Sequence, residues 1–114
     1  MTKTITLEGG KDVKLAANAA TPFRYKQLFG GDLLKIFQQS AKSEEDSAIL
    51  GDVVSQLAFI MNRQAEGADM NHLSMDDFFA WLEGFEAMDF VSAGEEIVRT
   101  YLSSTQSSVE AKKK

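Results

Sequence analysis

Few residues in this chain are of types that do chemistry, and their spacing argues against an enzyme. The single histidine, His72, falls in a polar loop, ADMNH, and the chain has no cysteine. One imidazole with neither a second histidine nor a thiolate cannot build the usual zinc sites. No G-x-S-x-G or related nucleophile signature offers it a partner, so His72 reads as a solvent-exposed loop residue. Asp69 and Asn71 open like a calcium-binding EF-hand loop. Leu73 then takes the fifth position, Ser74 replaces the glycine and Ala80 replaces the bidentate glutamate, so the match fails. The pairs Gly9-Gly10 and Gly30-Gly31 are not followed by G-K-[ST] and read as turns. The carboxylates fall mainly in expected helix first turns, where capping and the helix dipole account for them. The expectation is a protein without catalytic residues, metal or cofactor.

What remains is surface, and the stretch that could form one runs from Leu73 to Phe90, LSMDDFFAWLEGFEAMDF, with five of the chain's eleven aromatics. On a helix, Phe78, Trp81, Leu82, Phe85 and Met88 share one face, the stripe of an element that must be buried. Phe79 and Phe90 fall roughly 100° away, among Asp76, Glu83 and Glu86. Two readings stay open for that second face. Either the helix is wedged between neighbours and both faces are core, or Phe79 and Phe90, rimmed by Glu83 and Glu86, form a site for a partner protein. Phe59, set among Asp52, Ser55, Gln56, Asn62 and Arg63, could extend such a site.

The elements that must position these residues can be read in order. Thr4–Leu7 and Val13–Leu15 alternate polar and apolar around a glycine pair, the pattern of a β-hairpin whose Ile5, Leu7, Val13 and Leu15 need helices to pack on. Thr21-Pro22 predicts a helix start with Thr21 as cap, and Gly30-Gly31 its end. Asp32 caps a second helix, LLKIFQQSAK, and the pair offers Phe23, Leu28, Phe29, Leu33, Ile36 and Phe37 as inward residues. Ser43–Asp46 resembles a capping box that opens the longest helix, whose apolar arc of roughly 140° suits a central position, with Gly67 as its stop. Ser74 and Asp77 repeat the capping box, with Leu73 and Phe78 as a hydrophobic staple. Asp89 is expected to cap a last helix with Phe90, Val91, Ile97, Val98, Tyr101 and Leu102 on one face. The fold class is mainly α: a compact bundle of about five helices with a small N-terminal β-hairpin. Residues 1–103 are expected to form a single helical domain, and 104–114, polar and serine-rich, a flexible tail.

At 114 residues and 44% apolar content the chain has enough for one packed core. Seventeen acidic residues oppose 12 Lys plus Arg, for a net charge of −5, and removing Lys112, Lys113 and Lys114 takes −5 to −8. Such a body lacks the basic footprint that phosphate binding needs, so no nucleic acid is expected. No apolar run approaches the ~20 residues that cross a bilayer, and MTKTITLEGG lacks the apolar run of a secretory signal, so neither membrane nor export is expected. The absence of cysteine suits a reducing cytosol.

The stretch ATPFRYKQLFGGDLLKIF, Ala20–Phe37, preceded by ITLEGGKDVKL and followed by the acidic aromatic helix, resembles the tail assembly chaperones of long-tailed phages and prophages of Gram-positive bacteria. The likeness spans most of Ile5–Leu102, and T-P-F-R-Y-K-Q-L-F-G, Thr21–Gly30, is its most specific part. It implies a small helical protein of the host bacterial cytoplasm, absent from the finished virion, that self-associates. Such a protein keeps the aggregation-prone tape measure protein soluble and helps bring tail tube subunits to it. The family has no agreed ligand residues, so Phe59, Phe79, Glu83, Glu86 and Phe90 stand as partner-binding candidates on physical grounds alone. Many such chaperones also have a frameshifted long form, and a run of adenines encoding Lys112–Lys114 would be a slippage site; an ordinary solubilising tail is the simpler reading. The competing class is an acidic helical adaptor, or a nucleic-acid mimic that occupies a basic protein's binding surface by charge.

Overall fold

The computed structural model describes residues 2–7, 10–33, 35, 36 and 47–113. Strands β1 (Thr2–Thr6) and β2 (Asp12–Ala16) pair antiparallel, with Ile5 opposite Val13 and Lys3 opposite Leu15. Because successive strand residues face opposite ways, Ile5, Val13 and Leu15 share the inner face, and all three are buried together with Leu7. Lys3 shares that face at its outer end and pairs with Glu96 at 3.5 Å. The turn closes through Leu7 N–H to the Lys11 carbonyl and Gly10 N–H to the Leu7 carbonyl, both 2.8 Å. Gly10 takes φ +87°, a conformation that a side chain would strain.

Helix α1 (Thr21–Phe29) ends at Gly30, which adopts the left-handed cap conformation and donates its N–H to the Lys26 carbonyl. Its start differs from the expected cap. Thr21 is the first helical residue and fully buried; its Oγ1 accepts from the Asn18 N–H at 3.0 Å and donates to Gln64 Oε1 at 3.1 Å. Asn18 Oδ1 meanwhile accepts from the Ala20 N–H. The hydroxyl therefore ties the helix start to α2 instead of satisfying a first-turn amide. Phe23, expected inside, is 74% exposed, because Thr21, Tyr25, Leu28 and Phe29 set the inner face and position 23 lies across the helix from them. Leu33, Lys35 and Ile36 are helical, with Asp32 Oδ1 accepting from the Lys35 N–H as a cap should. The rest of that expected helix, with Phe37 and the Ser43–Asp46 box, lies outside the described residues.

Helix α2 (Ser47–Ala65) is the centre of the molecule. Leu57, Ala58, Phe59, Ile60, Met61 and Asn62 are buried in succession, more than a full turn, so no side of this segment faces solvent. The hairpin and α1 pack on it, as do α3 (Met75–Leu82) and α4 (Ala87–Lys113). Removing Leu57, Ile60 and Met61 from water contributes roughly 1.5–3 kcal/mol each. Asn62 is accommodated because its Nδ2 donates to the Lys14 carbonyl of β2 at 2.9 Å. Gly67, at φ +71°, ends α2, and a single 3-10 turn (Met70–His72) leads to α3.

The stretch from Leu73 to Phe90 is two helices. The capping box forms as expected, the Ser74 hydroxyl accepting from the Asp77 N–H and the Asp77 carboxylate from the Ser74 N–H. The helix then stops at Leu82, and Gly84 N–H and Phe85 N–H close a turn on the Trp81 and Leu82 carbonyls. Asp89 stands in the third position of α4, not at its cap, and its carboxylate accepts from the Glu86 N–H at 2.9 Å. The backbone of α4 continues helical to Lys113, through the stretch whose composition suggests a tail.

Candidate partner-binding surface

An aromatic chain links the elements around α2. Tyr25 meets Phe29 at 5.2 Å between ring centroids, Phe29 meets Phe78 edge-on at 4.9 Å, and Phe78 meets Phe59 at 5.3 Å. Phe59 continues to Trp81 at 5.4 Å, and Trp81 to Phe85 and Phe90 at 4.6 and 5.7 Å. Edge-on and tilted pairs at these separations are worth about 0.5–1.5 kcal/mol beyond the area they bury. Lys11 clamps the end of the chain, with Nζ 2.5 Å from the Gly84 carbonyl and 4.4 Å from the Phe85 centroid.

Two of the five partner-binding candidates belong to this core. Phe59 is 1% exposed, because α3 lays Phe78 and Trp81 over the side of α2 that looked polar in sequence. Phe90 is 7% exposed, because the break at Gly84 resets the helical phase. On α4, Phe90 lines up with Ala93, Ile97 and Thr100, all buried, while Met88, assigned to the buried stripe of one unbroken helix, is 60% exposed.

The other three remain at the surface. Phe79 is 55% exposed, and Met75, one turn before it on α3, is also exposed. Glu83 follows one turn later at the end of α3, and Glu86 lies at the start of α4, both exposed. Asp76, exposed at i−3, and Glu83, at i+4, flank Phe79 along α3, while Glu86 lies beyond the break at Gly84. The residue that sequence reading missed is Met75, which the i, i+4 relation to Phe79 could have supplied.

His72 is exposed and engaged only locally. Its Nδ1 lies 2.5 Å from Asp69 Oδ2, while Asp69 Oδ1 accepts from the Asn71 N–H. These bonds, the one from His72 first, hold the Asp69 carboxyl below the usual carboxylate range. The nearest hydroxyl in sequence, Ser74, is turned to Asp77. Among the described residues no three side chains are grouped to hold a metal, and no helix is long and apolar enough to cross a membrane. Arg63 sits beneath this region: its guanidinium lies over the Phe59 ring, Nη2 donates to Asn62 Oδ1, and Nε is buried with no hydrogen-bond partner. An unmet buried donor costs about 1–3 kcal/mol.

No family model, no curated protein and no solved structure matches this chain.

Proposed function

We propose that this chain acts as a tail assembly chaperone, holding apolar helical segments of a tape measure protein on the outer face of α3 and delivering them to tail tube subunits. The observation that carries the reading is Phe79, a large aromatic left half-exposed on a helix whose other aromatics, Phe78 and Trp81, are buried and partly buried against the core. With Met75 one turn away it offers i, i+4 anchors of the kind that grip an amphipathic helix, and methionine adapts to varied apolar partners. Asp76 and Glu83 beside it on the helix would keep such a surface soluble between clients and favour segments flanked by lysine or arginine. The sequence resemblance supplies the identity of the client.

The alternative, an acidic adaptor or nucleic-acid mimic, differs in what salt does. Binding through charge weakens steeply as salt rises from about 0.1 to 1 M, where the screening length falls from about 10 to 3 Å, while binding through Phe79 and Met75 persists. Retention of a tape measure segment on the immobilised chain across that range is the expected result. Release within the first few hundred millimolar would favour the mimic.

A further inference from the structure

The hairpin is a sheet of two strands, so each strand has one edge that faces no other strand of the sheet. Leu7 donates its N–H to the Lys11 carbonyl, which makes these two a hydrogen-bonded pair. Bonded and non-bonded pairs alternate along an antiparallel ladder, so Ile5 with Val13 and Lys3 with Leu15 are bonded as well. The main-chain groups of Thr2, Thr4 and Thr6 therefore point away from β2, and those of Asp12, Lys14 and Ala16 point away from β1. The two edges are not alike. On β2, Asn62 of α2 already donates to the Lys14 carbonyl. On β1, the outward N–H and C=O groups of Thr2, Thr4 and Thr6 meet no partner among the described residues, and all three residues are exposed. Such a row is a template for another strand. Lys3, the one charge on β1, does not guard it, because it lies on the inner face and is paired with Glu96.

We propose that β1 pairs antiparallel with β1 of a second copy of this chain, giving a four-stranded sheet about a two-fold axis through Thr4. In that register Thr4 faces its own equivalent and Thr2 faces Thr6 of the other copy, so every outward residue of the strand finds a partner within the strand. Threonine then stands beside threonine along the outer face of the junction, a favourable cross-strand pairing. Charge selects a second copy. Two molecules of net charge −5 repel, and β1 carries no acid, so it offers a line on which they can meet. Lys3 falls opposite Ile5 of the other copy, and no charge faces its like. Strands of five residues bury less than the ~1,000 Å² of a stable interface, so the dimer is a weak one. The pairing involves neither α3 nor Phe79 and does not rest on the client reading.

Sedimentation equilibrium and amide exchange from about 10 µM to 1 mM test this on the whole chain. The native chain should pass from monomer to dimer over that range. Exchange at the Thr4 amide should slow as it does so, while the Ile5 amide, directed at β2, is slow throughout. Thr4 is exposed and its main chain takes no part in the ladder with β2, so Thr4→Lys and Thr4→Glu leave the hairpin folded. Each sets like charges across the two-fold axis and should weaken the dimer about fivefold, and an equimolar mixture of the two variants should restore it. A native chain that stays monomeric at about 1 mM overturns the proposal and leaves the edge to a strand of another protein. Dimers that survive both substitutions, or a mixture no more associated than either variant alone, overturn it as well and place the contact elsewhere.

Discussion

Phe78 and Phe79 are neighbours in sequence, and their rings lie 5.6 Å apart, yet Phe78 is 4% exposed and Phe79 55%. The helix places one in the aromatic core against Phe29 and Phe59 and leaves the other at the surface. Phe78→Ala should therefore cost about 3–5 kcal/mol. Phe79→Ala should stay within about 0.5 kcal/mol. Urea denaturation of the two variants checks both; a large loss on replacing Phe79 would make it a core residue.

That contrast also marks how far the sequence could be read. The hairpin, its inward Ile5, Leu7, Val13 and Leu15, the stop at Gly30 and the Ser74–Asp77 box rest on local chemistry, and each is present. For Phe90 two readings stood open because a helical wheel assumes one phase, and the break at Gly84, which changes the phase of all that follows, puts it in the core. Phe59 was misread because polar neighbours suggest an outer face, whereas Asn62 and Arg63 beside it spend their polar groups on Lys14 and on each other. Local spacing carries no record of which neighbouring helix will cover a side.

Thr21 is isosteric with valine, so Thr21→Val removes only the bonds to Asn18 and Gln64. The loss should be about 1 kcal/mol, the net worth of an ordinary hydrogen bond, because the exposed Asn18 N–H can turn to water. Thr21→Ser, which keeps the hydroxyl, should lose less. Chemical denaturation ranks the two, and the reverse order would show that the methyl, not the hydroxyl, matters here.

Gly94 lies inside α4, and a Cβ there would meet the Val54 methyls at 3.6 and 3.8 Å, ordinary contact distances. Gly94→Ala should raise stability by about 0.5–1 kcal/mol by lowering the backbone entropy of the unfolded chain. A rise in melting temperature checks it; a fall would mean that α4 and α2 pack more tightly.

Burial, and then the charge of Asp32, raise the pKa of Tyr101. The folded protein thus favours the neutral phenol, and the stability this contributes is fully present below the ordinary value of about 10. It is lost as pH rises through the elevated folded value. Stability of the native chain should fall more steeply on the alkaline side than that of Tyr101→Phe, and superimposable alkaline profiles would remove Tyr101 as a cause.

Phe79 is the residue proposed to touch the client. The most direct measurement is the soluble fraction of a tape measure protein co-expressed with no partner, with this chain, or with its Phe79→Ala variant at equal soluble level. The native chain should raise that fraction and the variant should return it toward the level without partner. Equal solubilisation by both proteins, or no effect of either, would rule out Phe79 as the contact.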